Sequence, residues 1–222
     1  MRILGIDTTT KFFCLGIQDN TNIYAYRLEL FKKQAGLVIP TIKRVFEVLG
    51  LEPKDIDYFA CGLGPGSFTG IRIGLSTIKA LSFSLNRPIV GFSTLDILAV
   101  QVKREGYLVP VIDARRNSVF TAIYKNSQNK LTRTTAYKLI SRNEFYKLVP
   151  KEAYIFGDAL ELYREEMKRN MPTAKFLDSD FWYPQPSGII KLAQEKIKKR
   201  ELFDSFSLKP IYLYPKECQI KR

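Results

Sequence analysis

The 222-residue chain has no histidine at all. That removes the commonest general base, the Ser-His and Cys-His nucleophile pairs, and the commonest ligand of zinc and iron. Cysteine is scarce: Cys14, Cys61 and Cys218 are odd in number and lack the spacing of a metal site. Cys14 and Cys61 sit in apolar strand patterns, where cysteine acts as a small hydrophobe, so a reducing cytoplasmic setting is expected rather than a disulfide framework. Long apolar runs are missing too. The opening Met-Arg-Ile-Leu-Gly-Ile-Asp is too short for a signal peptide, and no stretch approaches a membrane span, so no membrane partner is expected. Acidic residues are outnumbered, 22 against 35 basic, giving a net charge of +13. An acidic partner such as nucleic acid fits that balance. The basic residues are spread along the chain, with one mild cluster at Lys196, Lys198, Lys199 and Arg200.

What is present is dominated by one stretch, residues 62–85. Gly62, Gly64 and Gly66 allow backbone angles closed to other residues, and Pro65 stiffens the turn. Ser67 or Thr69 can cap the helix that follows. This helix, Phe68 to Leu85, carries only Arg72 and Lys79 as charges. Its apolar residues go nearly all round, which predicts burial on every side. Gly66, Gly70 and Gly74 recur every four residues and give one face almost no side chains. That face predicts close approach of another helix, the cover being either the chain's own core or a second subunit. A strand, a glycine turn and a helix N-terminus in sequence is also a geometry that presents N–H groups to an anion.

The pattern before this stretch reads as three strands, Arg2 to Asp7, Phe12 to Gln18 and Asn22 to Leu30. A helix from Gln34 to Leu49 follows, with Val38, Ile42, Val45, Phe46 and Leu49 at helical spacing. Tyr58 to Cys61 and Ile89 to Phe92 read as further strands. After Glu105-Gly106 the pattern restarts: strands at Tyr107–Asp113, Ser118–Tyr124 and Lys130–Tyr137, a helix after Ser141, a strand at Tyr154, a helix from Ala159, and an amphipathic helix from Ser187 to Lys199. Ile3 to Asp7 aligns with Val109 to Asp113, and Phe12 to Asn20 with Ser118 to Asn126. A weak repeat at this period means a duplicated domain. The expected fold is therefore α/β, two ribonuclease H-like domains of the actin, sugar-kinase and heat-shock ATPase superfamily. The expected domains are 1–104 and 105–222, with the C-terminal tail a candidate for packing back on the first.

That superfamily grips nucleotide phosphates with one turn from each half. Asp7, Thr8, Thr9 and Thr10 match the first turn and are the candidate cofactor-binding residues. The second is damaged, since Ala114, Arg115 and Arg116 follow Asp113 where small residues are expected. No cofactor bound firmly by this chain alone is expected, and ATP or ADP is a candidate only at a subunit interface. No catalytic or metal-binding residue is assigned; Asp7 and Asp113 read as strand-end turn residues.

The motif Gly-Leu-Gly-Pro-Gly-Ser-Phe-Thr-Gly-Ile-Arg-Ile-Gly (62–74) occurs with Ile-Leu-Gly-Ile-Asp-Thr-Thr-Thr (3–10), Ser-Thr-Leu (93–95), Ile-Asp-Ala-Arg (112–115) and Pro-Ile-Tyr-Leu (210–213). With these in order, the chain closely resembles the TsaB (YeaZ) family over its whole length. The resemblance implies a scaffold or activating subunit, not itself an enzyme, in the complex that forms N6-threonylcarbamoyladenosine beside the tRNA anticodon. The implied partners are a catalytic paralogue, TsaD, that binds metal through histidines, a small ATPase, TsaE, a second copy of the chain when alone, and tRNA through the complex. The expected dimer surface is Val38, Ile42, Val45, Gly66, Ser67, Phe68, Gly70, Ile71, Arg72, Ile73 and Gly74, and a charge placed at Gly70 or Gly74 is expected to abolish dimerisation without unfolding. The rival reading is a stand-alone small-molecule kinase or ATPase of the same superfamily.

Overall fold

The computed structural model describes residues 1–30 and 34–214. The first half runs β1 (Arg2–Asp7), β2 (Phe12–Asp19), β3 (Asn22–Glu29), α1 (Gln34–Leu49), β4 (Tyr58–Gly62), α2 (Phe68–Leu85), β5 (Ile89–Phe92) and α3 (Thr94–Gln101). The second runs β6 (Gly106–Asp113), β7 (Ser118–Thr121), β8 (Tyr124–Ser127), β9 (Lys130–Arg133), β10 (Lys138–Ser141), α4 (Arg142–Leu148), β11 (Tyr154–Phe156), α5 (Ala159–Asn170), β12 (Lys175–Phe176) and α6 (Pro186–Lys198). These form two compact units. One is Met1–Ile97 with Pro184–Pro210, and the other is Leu98–Tyr183 with residues 211–214.

In the first unit the sheet order is β3-β2-β1-β4-β5. The pairs β3–β2 and β2–β1 are antiparallel, and β1–β4 and β4–β5 are parallel. The parallel strands are continuous apolar runs because both sheet faces are covered. One face carries α6. Gly5 lies opposite Gly16 in the ladder, and this pair makes a trough without side chains. A Cβ on Gly5 would stand 2.5 Å from Ile189 Cγ2, and one on Gly16 would stand 2.8 Å from Ile190 Cγ1 and 2.9 Å from the Pro186 carbonyl. Ile189 and Ile190 are fully buried there. The Cys14 thiol donates to Pro184 O at 3.0 Å and the Gln194 amide to Gln18 Oε1 at 2.9 Å, pinning both ends of the approach.

That trough corrects the expected domain boundary. Residues 184–210 belong to the first unit rather than to a domain 105–222, and the division falls inside α3 rather than at Glu105. The helix pattern of α6 was readable, but the acceptor for its apolar face lies some 170 residues earlier in the chain.

The second unit repeats the order as β10-β7-β6-β11-β12, with the same alternation of antiparallel and parallel pairs. It departs from the expected strands in one respect. The single strand expected over Ser118–Tyr124 is split into β7 and β8, because Pro110 breaks the ladder between them and the continuous β6. Val111 pairs with Thr121 and Leu108 with Tyr124; the same register sets Pro110 opposite Ala122, and proline has no N–H to give. The third strand, expected over Lys130–Tyr137, ends at Arg133 as β9, which pairs with β8, and β10 (Lys138–Ser141), which pairs with β7, lies beyond the expected span. The core of this unit is Val109, Val111, Val119, Phe145, Ile155 and Leu160 with their neighbours. Ser141 and Glu144 form a reciprocal capping box at the start of α4.

Candidate functional site

The glycine loop and α2 are built on the turn after β1. Gly64 and Gly66 have φ of 96° and 155°, values that favour glycine. A Cβ at Gly66 would lie 2.4 Å from the Thr9 carbonyl. Ser67 N donates to that same carbonyl at 2.7 Å. The Ser67 hydroxyl then accepts from Gly70 N at 3.2 Å and caps α2, and Asn86, left-handed at φ 49°, ends it.

Thr8 completes the join. Its hydroxyl donates to the Gly70 carbonyl at 2.7 Å. A Cβ on Gly74 would stand 2.3 Å from the same hydroxyl oxygen. The face of α2 without side chains is therefore filled by the chain's own Thr8 and Thr9.

The rest of the turn also bonds inward. Asp7 Oδ1 accepts from Thr9 N and the Thr9 hydroxyl, both at 2.9 Å. Asp7 Oδ2 accepts from the Thr94 hydroxyl at 3.4 Å, and the Thr9 and Thr94 hydroxyls are 2.8 Å apart. Thr94 N in turn bonds Gly64 O at 2.9 Å. Asp7 is wholly buried, and Thr8, Thr9 and Thr10 are also buried. Burial pushes the Asp7 carboxyl up to about 6, against the opposing pull of the Thr9 and Thr94 donors. Burial also pushes the Cys14 and Cys61 thiols upward, with the charge of Asp7 adding to it, so neither is a thiolate nucleophile at neutral pH.

The turn in the second unit keeps its aspartate but not its shape. Asp113 Oδ1 accepts from Arg115 N at 2.9 Å, and Asp113 N donates to Asp158 Oδ1 at 2.8 Å. Arg115, Arg116 and Asn117 follow in the left-handed region, at φ 58°, 49° and 62°, with their side chains exposed. Two carboxylates flank a loop with no small residue after Ala114. Among the described residues no group of three His, Cys, Asp or Glu is placed to hold a metal ion.

These observations redistribute the expected interface. Val38, Ile42, Gly70, Ile71 and Gly74 are buried inside their own subunit. They are the underside of the helix layer, where α1 meets α2, and cannot be anchors for a partner. Ser67, Phe68 and Arg72 are exposed, with the Arg72 guanidinium 3.9 Å from the Phe68 ring centre; Val45, Gly66 and Ile73 are half-buried. The expectation that a charge at Gly70 or Gly74 would leave the fold intact is corrected for the same reason, since the space there belongs to Thr8. Neither is α2 buried all round: Phe68, Thr69, Arg72, Ser76, Ala80 and Phe83 are open. Three exposed apolar residues of α1 were missed: Leu37, Ile39 and Val48. Their signal was present, since α1 has more apolar residues than the 38–42–46 stripe needs. Thr94, which bonds both Asp7 and Thr9, stood out only within the Ser-Thr-Leu motif (93–95), with nothing to name those partners.

The strand order repeated in both units and the aspartate turn after each first strand define an α/β protein of the actin-like, ribonuclease H-like class. The family model described as TsaD, tRNA N6-adenosine threonylcarbamoyltransferase, matches residues 31–184. The tRNA threonylcarbamoyladenosine biosynthesis protein TsaB of Buchnera aphidicola subsp. Schizaphis graminum is 30% identical over 208 residues, covering 90% of this chain and 97% of that protein. TsaB of Bacillus subtilis is 28% identical, covering 100% and 97%. The solved YeaZ from Pseudomonas aeruginosa shares the fold, with a TM-score of 0.83 at 23% identity over 96% of this chain and 99% of that one. The chain belongs to the TsaB family.

Proposed function

We propose that this chain is a non-catalytic docking subunit in the formation of N6-threonylcarbamoyladenosine in tRNA. Its catalytic partner is a TsaD-like paralogue, and a TsaE-like ATPase joins the assembly. When the chain is alone, the same surface pairs two copies of it.

One observation carries the non-catalytic reading. The Asp7–Thr10 turn, the one phosphate-type turn whose sequence is intact, is occupied by the chain's own α2 and Thr94. The Thr8 and Thr9 hydroxyls and the Thr9 N–H that would meet a phosphate are already bonded, and the carboxylate is sealed from solvent. The second turn presents exposed arginines beside two carboxylates instead of small residues. The lack of histidine removes the ligands by which the catalytic paralogue holds its metal. The docking reading is supported by the outer side of the α1–α2 layer, where Leu37, Ile39, Val48 and Phe68 are exposed.

The test is co-purification with the histidine-bearing paralogue, followed by threonylcarbamoylation of tRNA with and without this chain. Val48→Glu with Phe68→Glu is expected to abolish capture and stimulation while leaving the monomer folded. Full stimulation by that variant, or measurable transfer by this chain without its partner, overturns the proposal.

A further inference from the structure

A groove of about 550 Å³ lies at the far end of α2 from the glycine loop, within the first unit. Its walls include Phe83, Arg87, Leu202, Phe203 and Phe206. Phe83 is 67% exposed and Phe206 78%, and their rings meet edge to face at 5.7 Å. Large aromatic rings left this open are costly in water and mark interaction surfaces.

The rings are held on a rigid frame. Phe203 exchanges both backbone hydrogen bonds with Ile89, at 2.8 Å each. The Asp204 carboxylate accepts from Phe206 N at 2.8 Å and Ser207 N at 2.6 Å, fixing the turn that lifts Phe206. On the other wall the Ser82 hydroxyl donates to Arg87 O at 2.6 Å and Asn86 closes the helix.

The groove's lining sets one cation, Arg87, against one anion, Asp204, and the cations in excess come from the chain that leads into Leu202. Arg87 lines it, Lys199 and Arg200 precede Leu202 on an exposed stretch, and Leu202 N bonds Arg200 O at 3.0 Å. Lys79 lies close enough to Asp204 to help, after the Ser207 and Phe206 donors, in holding that carboxyl below its usual range. The nearby acids are already engaged: Asp204 by the turn, Glu201 by Lys196 at 2.6 Å. Exposed ring faces within a surplus of positive charge match the chemistry of an unpaired nucleic-acid strand, whose bases stack and whose phosphates are anionic.

We propose that this groove is a stacking site for unpaired bases of an RNA strand, with Phe83 and Phe206 as platforms and Arg87, Lys199 and Arg200 on the phosphates. The proposal rests on the reading of the chain as part of a tRNA-handling assembly and assigns it a direct RNA contact. The groove is distinct from the α1–α2 docking side chains Leu37, Ile39, Val48 and Phe68.

The test uses fluorescence anisotropy with the full chain and a labelled oligoadenosine of about 12 nucleotides, beside an RNA duplex of equal length. The single strand is expected to bind better than the duplex. Phe206→Ala is expected to weaken binding about 5- to 150-fold, the range for loss of one stacked base, and Phe206→Tyr to retain it. Arg87→Gln with Lys199→Gln is expected to weaken binding and to flatten its salt dependence. Phe206 is exposed, so thermal unfolding of Phe206→Ala is expected to match the parent. Unchanged affinity in that variant, or equal binding of duplex, overturns the proposal. So does a Phe206→Ala variant that still binds the oligonucleotide but no longer captures a protein partner. Because the readout is on this chain alone, it stands whether or not the transferase paralogue is captured in a separate pull-down.

Discussion

Asp7→Asn is expected to stabilise the protein at neutral pH and to flatten part of its pH dependence. The Asp7 carboxyl titrates at about 6 in the folded chain against an ordinary value of 3.8. The native state therefore holds the proton more tightly than the unfolded chain. The associated stability is fully present below pH 3.8 and is lost as pH rises through about 6. The rise from 3.8 to about 6 is worth about 3 kcal/mol above that window. Asparagine keeps an oxygen for the Thr9 N–H and hydroxyl donors and sets an amide N–H toward the Thr94 oxygen. Its second N–H has no evident acceptor, which costs about 1 kcal/mol. The variant should thus be more stable by about 2 kcal/mol at pH 8 and less stable by about 1 kcal/mol at pH 4. Urea unfolding of both proteins at steps between those pH values checks this, because every other titrating group cancels in the difference. Parallel stability curves across the range would refute the claim that Asp7 is a charged, sealed carboxylate at neutral pH.

The Thr8–Gly74 contact gives a change of sign. Gly74→Ala alone should destabilise, since its Cβ would stand 2.3 Å from the anchored Thr8 hydroxyl oxygen, whereas in a Thr8→Ala background it should stabilise by up to ~1 kcal/mol through helix propensity. Denaturation of the four proteins of that cycle reads the coupling, and additive effects would show that α2 is not keyed to Thr8. Gly16→Val should cost several kcal/mol, as α6 must lift from its trough where even a Cβ meets Ile190 and the Pro186 carbonyl; limited proteolysis should then cut within α6. Arg116→Gly should stabilise by about 0.5–1 kcal/mol, by relieving a side chain held at positive φ, seen as a rise in melting temperature.

Local signals were faithful wherever a residue's own backbone decides its conformation. The span of α2, a cap from Ser67 or Thr69 and the left-handed Gly64 and Gly66 were legible, because capping and φ are local properties, whereas Gly62 ends β4 without a positive φ. Periodicity also placed α1 and the duplicated strand order. What periodicity cannot tell is which neighbour covers a face. The every-fourth glycines of α2 announced a close approach, and the approach exists, but it comes from Thr8 and Thr9 of β1's turn rather than from another subunit. The same ambiguity hid α6, whose apolar stripe signals burial without naming Gly5 and Gly16 as its bed. The effect of Pro110, dividing the neighbouring strand, cannot be read without the register.

The two sides of α2 thus answer different demands, and this explains why the motif mixes glycines with large apolar residues. On the inner side, Gly66, Gly70 and Gly74 bring the helix backbone into reach of a threonine hydroxyl and a carbonyl. That contact fixes the helix to the sheet by hydrogen bonds whose geometry admits no slack, and it consumes the polar groups a phosphate would use. On the outer side, Phe68, Arg72 and Phe83 are carried by the fixed backbone. A helix anchored only by apolar packing could slide to accommodate Phe68; one tied through Ser67 N to Thr9 O and through Thr8 to Gly70 O cannot. Ordering is therefore settled within the subunit, which for the proposed docking role lowers the entropic cost of association. The filled Asp7–Thr10 turn and the exposed side of α2 are in this sense one device, because the bonds that close the first hold the second in position.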